Sequence, residues 1–229
     1  GGAIFLDSSS AVIVGNRFTE NKAESAAGVY LDVSPALVEF NIFQANKAQN
    51  AGGLMASRSP ALINGNRFFL NEGLNGGGVY VEFSDARVTN NLLISNTATS
   101  AGSGLFVLAS DLTFYHNTLV YNSGGDGSAL YVGNIGPDSS AINFKNNIVA
   151  HQQTGVLVRP ANRVTADGNF WFGNQTDVEA LGSFTEGTTR FTSDPLFAAP
   201  DKLNFGLTSQ SPAINVALAT DVSADFEKQ

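Results

Sequence analysis

"GGGVYVEFSDARVTNNLLISNTATS", residues 76–100, combines a short apolar strand, a serine, an Asn-Asn pair and another asparagine five residues later. Similar stretches begin at six further positions, which are Gly1, Ala26, Ala51, Gly102, Gly127 and about Thr154. A repeat of about 25 residues that continues through most of a chain is typical of a solenoid, in which each repeat forms one turn.

Each repeat predicts three short strands separated by corners. In the first strand, VYV in the quoted stretch, the outer two residues are apolar in every repeat. Alternation along a strand places both on one side, which we expect to face inward. The second strand repeats one apolar position at Ile13, Val38, Ile63, Val88, Phe114 and Phe144. The third repeats another at Phe18, Phe43, Phe68, Leu93, Leu119, Val149 and Trp171.

Asparagine recurs at two corners and serine at a third. The first asparagine column contains Asn16, Asn41, Asn66, Asn91, Asn117, Asn147 and Asn169. The second contains Asn21, Asn46, Asn71, Asn96, Asn122 and Asn174, with Gln152 replacing one member. The serines are Ser9, Ser34, Ser59, Ser84, Ser110 and Ser140. Asparagine tolerates the left-handed backbone of a sharp corner, and its amide can both donate and accept, so we predict structural asparagine ladders between turns.

The N-x-F-x-x-N spacing followed by a GGGVYV-type strand resembles the right-handed parallel β-helix superfamily, the fold of pectate lyases and many bacterial surface proteins. The resemblance covers residues 1 to about 175. It implies an all-β protein, a right-handed parallel β-helix (solenoid) with about seven regular coils. DPLF at 194–197 and SPAIN at 211–215 are similar to the closing segment of secreted bacterial β-helix proteins, although the glycine that usually follows the second motif is missing.

We expect a single domain with regular coils over residues 1–175 and an irregular C-terminal closure over residues 176–229. Residues 176–193 break the period and are rich in Thr, Gly and Ser. They are expected to form a loop that leads into one or two irregular closing coils over the C-terminal end. The N-terminal coil is expected to be bare, and an exposed strand edge favours pairing. We therefore expect an upstream segment or an end-to-end stacked copy to cover it.

Composition narrows the choice of partner. The chain has 20 acidic and 12 Lys or Arg residues, for a net charge of −8, which disfavours nucleic acid. It has no cysteine, so disulfides and thiolate metal sites are excluded. No run of 18 apolar residues predicts a membrane span. A polysaccharide or a cell-surface protein is the expected partner, and the resemblance implies an extracellular or cell-surface location.

In the resembled superfamily, glycans usually lie across the outward face of the first strand. This sequence carries a mostly aromatic row there, followed two residues later by several acids. Aromatic rings stack on sugars, and carboxylates bind hydroxyls or Ca²⁺. The predicted glycan platform is Phe5, Tyr30, Tyr80, Phe106, Tyr131, Asp7, Asp32 and Glu82. Strand propensity and cross-strand stacking explain the same rows without any ligand.

Asp32 and Glu82 are the candidate catalytic residues. They lie two coils apart, about 9.6 Å, which is near the upper separation for an inverting glycosidase pair. The Gly-His-Gly and Arg-Ile-Lys motifs of polygalacturonases and the Asp-Pro-His-Glu motif of alginate epimerases are missing. The two histidines, His116 and His151, indicate no metal site. No cofactor is predicted, and Ca²⁺ stays open.

Two functions follow from these patterns. The first is a non-catalytic extracellular module, a rigid scaffold or adhesin that binds glycan. The second is a polysaccharide lyase or glycoside hydrolase that acts on the outward face of the first strand. The missing catalytic motifs favour the first, and the question of enzymatic activity is left open.

Overall fold

The structure, a computed structural model, describes residues 1–222. Residues 223–229 of the expected closure lie outside the described residues. Three eight-stranded parallel sheets run the length of the molecule, and each coil contributes one strand to each of these three. The molecule is therefore a parallel β-helix, as the repeat predicts.

The strands of each sheet come from successive coils. The first sheet contains Ile4–Asp7, Val29–Asp32, Leu54–Ser57, Val79–Glu82, Leu105–Leu108, Ser128–Gly133, Thr154–Val158 and Thr176–Ala180. The second contains Ala11–Val14, Ala36–Glu39, Leu62–Asn64, Ala86–Thr89, Asp111–Tyr115, Ala141–Lys145, Arg163–Asp167 and Ser183–Glu186. The third contains Arg17–Thr19, Ile42–Gln44, Arg67–Phe69, Leu92–Ile94, Thr118–Val120, Ile148–Ala150, Asn169–Phe172 and Arg190–Phe191. A short fourth sheet contains Lys22–Ala23, Lys47–Ala48, Glu72–Asn75 and Thr97–Ala101.

The core consists of columns of like side chains, because the parallel register places each repeat position over its equivalent. Phe43 pairs with both Phe18 and Phe68 in register, and its ring stacks on theirs at centroid distances of 4.8 and 4.7 Å. The predicted inward positions of all three strands are buried, apart from the first coil, where Ile4 and Leu6 are partly exposed. The inward face is therefore confirmed.

The first asparagine column forms a continuous ladder. The side-chain Nδ2 of Asn41 donates to Oδ1 of Asn66 at 3.0 Å, and the backbone N–H of Asn41 donates to the same oxygen. The same amide also donates to the carbonyl of Ile13 in the preceding coil. Equivalent bonds continue from Asn16 to Asn169. Each buried amide thus satisfies its own polar atoms while joining adjacent coils.

The expected backbone conformation of these asparagines is wrong. The left-handed residue is the one before each ladder asparagine, as at Phe40 (φ 53°) and His116 (φ 58°). That residue turns the chain at the corner and leaves the following asparagine side chain directed inward. His116 therefore turns the chain at its corner, as Asn90 and Asn146 do in the adjacent coils.

The second ladder breaks at its one substitution. Asn96 bonds to Asn122 as expected, but the buried Oε1 of Gln152 finds no hydrogen-bond partner within residues 1–222. The longer side chain bends back, and its Nε2 donates to the carbonyl of Ala150. The extra methylene therefore removes one link between the fifth and sixth coils.

The helix has eight coils where about seven were expected. Residues 176–191 do not form a loop, because Thr176–Ala180, Ser183–Glu186 and Arg190–Phe191 pair in parallel with the seventh coil. The segment keeps apolar inward positions, such as Val178 and Phe184, but it lacks the asparagines that mark the corners of the other coils. Without that signal, the segment was misjudged as a loop.

The segment after the eighth coil lies along the side of the helix and does not form closing coils. Phe197–Ala199 and Asn204–Leu207 form an antiparallel hairpin around the 3₁₀ turn Pro200–Lys202. Phe205 packs with Ile94, Val120 and Ala150 on the outer face of the third sheet. Within residues 1–222, the part of this segment that forms the hairpin therefore packs beside the coils and not over the C-terminal end.

The two closing motifs anchor each other and lead the chain back toward the N-terminal coils. The buried Ser211 hydroxyl donates to the carbonyl of Pro195, joining SPAIN to DPLF. Leu218 then exchanges two hydrogen bonds with Asn146 of the sixth coil. Thr220 contacts His116 of the fifth, and Asp221 pairs with Arg87 of the fourth. Residues 218–221 thus cross three coils in reverse order, and we call residues 211–222 the return segment.

Replacing one ladder residue tests the ladder. We expect Asn66→Ala to lower the free energy of unfolding by about 1–3 kcal/mol, because its buried partners lose their bonds. The measurement is urea denaturation followed by circular dichroism. The exposed Asn134→Ala is the control and should change stability by less than about 0.5 kcal/mol. Equal stability of Asn66→Ala and the wild type would contradict the ladder's role.

Repairing the second ladder gives a test of opposite sign. We expect Gln152→Asn to raise the free energy of unfolding by about 1 kcal/mol, since the shorter amide can accept from Asn122. The neighbouring exposed Gln153→Asn serves as the control. A loss of stability in Gln152→Asn would show that packing of the longer side chain outweighs the missing link.

Candidate functional site

The predicted platform residues lie together on the outer face of the first sheet. The strand register places Phe5 beside Tyr30, and Tyr80 beside Phe106, which in turn lies beside Tyr131. Adjacent rings are in contact, with centroid distances of 5.2, 5.0 and 4.6 Å for these three pairs. Alternation along the strand predicted this shared face correctly, because every coil pairs without a slip in register here.

The exposure of the row is uneven. Phe5 in the first coil is 52% exposed, whereas Tyr80 and Phe106 are only 7% and 6% exposed. Tyr30 and Tyr131 are half-buried. The central rings pack with one another and with a small set of apolar neighbours, Met55, Ala26, Ala51 and Ala101. The centre of the row therefore stabilises the outer face, and the ring surface open to a ligand lies mainly toward its ends.

The acidic residues line one flank of this row. Asp7, Asp32, Ser57 and Glu82 occupy equivalent positions in consecutive coils, so Asp32 and Glu82 are separated by the strand that carries Ser57. Asp7 is exposed, and its carboxylate accepts from the hydroxyl of neighbouring Ser8. The predicted separation of two coils is correct.

Both candidate catalytic carboxylates bind groups of the same chain. Glu82 accepts from the Tyr80 hydroxyl at 3.0 Å through one oxygen and from the Ser57 hydroxyl at 2.9 Å through the other. Asp32 forms an ion pair with Arg58. These contacts position the acids as fixed polar edges of the sheet.

Two tyrosines beside the acids are held in their neutral form. Burial raises the pKa of Tyr80, and the charge of Glu82 and the bond donated to it raise that pKa further. Burial and then the charges of Asp32 and Glu82 raise the pKa of Tyr30. Both phenols therefore carry their protons at neutral pH and can donate hydrogen bonds.

Two corner residues complete the site and were not part of the predicted platform. Arg58 and Phe83 follow the first strand in the third and fourth coils, both with left-handed backbone. Phe83 is 40% exposed, while the side chain of Arg58 extends to Asp32 in the adjacent second coil. The recurring corner before each serine is the sequence signal that could have located them.

The described residues offer no preformed place for a metal. Within residues 1–222, no group of three or more histidine, aspartate or glutamate side chains converges to hold an ion. In the same range, no helix is long and apolar enough to cross a membrane.

The family assignment rests on the repeat region. The model of the family described as right-handed beta helix region matches residues 1–135, more than half of the chain. The chain belongs to the right-handed β-helix family. Its eight coils thus wind in the predicted right-handed sense.

One solved structure similar to this right-handed β-helix is that of pectate lyase Pel9A. The likeness covers 94% of this chain and 66% of that chain, with 12% sequence identity and a TM-score of 0.34. This β-helix thus spans slightly less than two thirds of the lyase, and the likeness carries no argument about activity. No match was found among curated proteins.

The raised tyrosine pKa gives a prediction about alkaline stability. A phenol whose pKa is higher in the folded state than the unfolded value of about 10 stabilises the fold below that value, and the stability is lost as pH rises further. We therefore expect unfolding free energy to decline above about pH 10, and Tyr80→Phe to make that decline shallower. Urea denaturation between pH 8 and 11 measures both slopes, and identical slopes would contradict the assignment.

Proposed function

We propose that the protein is a non-catalytic β-helix module that works outside the cell as a rigid surface scaffold and holds a polysaccharide along the outer face of its first sheet. The observation that carries the proposal is that both candidate acids bind side chains of the protein itself. Asp32 pairs with Arg58, and Glu82 accepts hydrogen bonds at both oxygens. Each acid thus already has a structural role on this face, which favours a binding face over a catalytic one.

The same face supports glycan binding. Carbohydrate recognition combines apolar ring contacts with hydrogen bonds to hydroxyls. The first coil presents the exposed ring of Phe5 beside Tyr30 and the carboxylate of Asp7, while the neutral phenol of the half-buried Tyr30 supplies a donor in the second coil. A glycan lying parallel to the helix axis would meet these groups in consecutive coils, about 4.8 Å apart.

The rigidity of the helix also supports a scaffold role. Ladder bonds and stacked columns fix each coil against the next, so the face changes little on binding. A pre-ordered surface loses less conformational entropy when a ligand binds, which suits a module that displays or anchors long polymers.

Affinity electrophoresis tests the proposal directly. The protein is run in native gels cast with individual neutral and acidic polysaccharides, with and without Ca²⁺, and the gels are then stained for polymer. We expect retarded migration without clearing of the track in at least one polysaccharide. Cleared tracks would identify a lyase or hydrolase instead, and unretarded migration in every gel would overturn the glycan proposal.

Variants locate the binding face. We expect Tyr30→Ala to weaken the apparent affinity about 2- to 10-fold, the range for loss of one aromatic contact. Tyr121→Ala removes an exposed tyrosine outside the row and is the matched control. The double variant Asp32→Asn and Glu82→Gln should still bind the polysaccharide, and its gel track should show the same polymer stain as that of the wild type. Equal weakening by Tyr30→Ala and Tyr121→Ala would place binding elsewhere.

A further inference from the structure

A second surface, on the outer face of the third sheet, has the features of a small-molecule site. The hairpin covers one outward column of the third sheet, and the return segment crosses the adjacent corner. Between them lies a cleft of about 990 Å³. Its floor is the neighbouring outward column, Leu92, Thr118, Ile148 and Phe170.

The cleft has the shape of a trench. Its floor residues come from four consecutive coils, a span of about 14 Å. Phe205 and Leu207 of the hairpin form one wall, and residues 213–217 of the return segment form the other. A volume near the upper end of the ordinary range for ligand pockets, with a mostly apolar floor and polar side chains around it, fits an elongated organic molecule that carries a polar group.

The charge of the cleft contrasts with that of the protein. The chain carries a net charge of −8, yet the charged side chains among the described residues that line the cleft are Arg67 and Lys202, both basic. Lys202 is exposed on the 3₁₀ turn and forms no ion pair within residues 1–222. A local basic site on an acidic surface attracts an anion.

Other side chains favour a neutral, hydrogen-bonding surround for that anion. Asn204 and Asn215 place amides on the two walls. Burial lowers the pKa of His116 at the edge of the cleft, and the nearby Arg87 charge lowers it further. The polar groups beside the apolar floor are therefore mostly uncharged, and Lys202 supplies the charge on which recognition depends.

We propose that this cleft binds an amphipathic organic anion, a molecule with an aliphatic or aromatic body and a single carboxylate, sulfate or sulfonate group. The body lies on the half-buried side chains of Leu92 and Ile148, and the anionic group meets the ammonium of Lys202. The aliphatic side chains of the floor fit a hydrocarbon body better than a sugar ring, which distinguishes this cleft from the proposed glycan face.

The test uses anilinonaphthalene sulfonate, whose fluorescence rises in apolar sites, as the probe. The intact protein is titrated with it at neutral pH, and the bound probe is then displaced with decanoate or with decanol. We expect saturable binding that decanoate reverses more effectively than decanol at equal concentration. Absence of a fluorescence rise, or equal displacement by the two competitors, would overturn the proposal.

Charge-reversal variants place the probe in the cleft. We expect Lys202→Glu to weaken probe binding about tenfold, since an attraction becomes a repulsion. Ala217→Glu, which adds an acid to the opposite wall, should also weaken it. The matched control Lys22→Glu makes the same charge change on the exposed first coil and should leave the affinity within about twofold. Equal affinities of Lys202→Glu and the wild type would overturn the proposal, as would equal weakening by Lys22→Glu.

Discussion

The amide hydrogen bonds between stacked asparagines are the interaction on which the rest of the structure depends. A corner brings buried polar backbone into a narrow space, and each ladder amide satisfies its own donors and acceptor there while fixing the distance to the next coil. With that distance fixed, every side chain lies over its equivalent, so aromatic rings stack and apolar columns close. The outer faces inherit the same regular spacing, and rows of surface residues become continuous.

Most of the fold could be predicted because the same sequence pattern recurs in successive coils. An inward position is easy to recognise when one residue type recurs there in several coils, as at Phe18, Phe43 and Phe68. The errors fall where repetition ends. The eighth coil lacks the asparagine signal, and the path of the chain after Phe191 depends on contacts between distant residues, such as Asn146 with Leu218, that no local pattern encodes.

The position of the candidate glycan face could be predicted from the sequence, but the burial and the hydrogen bonding of its side chains could not. Strand alternation places Tyr80 and Glu82 on the outer face, yet their mutual hydrogen bond and the burial of Tyr80 depend on neighbouring coils. Whether a carboxylate faces a ligand or an internal partner is decided by such side-chain contacts. The cleft beside the third sheet lies further beyond sequence reasoning, because one of its walls is formed by the return segment.

The return segment changes how the coils depend on one another. In an ordinary solenoid each repeat contacts only its neighbours, and unfolding can proceed from either end one repeat at a time. Here a single stretch of chain binds three coils at once. Asp221 contacts the fourth coil, Thr220 the fifth and Leu218 the sixth. If one of these coils unfolds, the contacts between the return segment and the other two coils are weakened as well. The fourth, fifth and sixth coils should therefore unfold as one cooperative block.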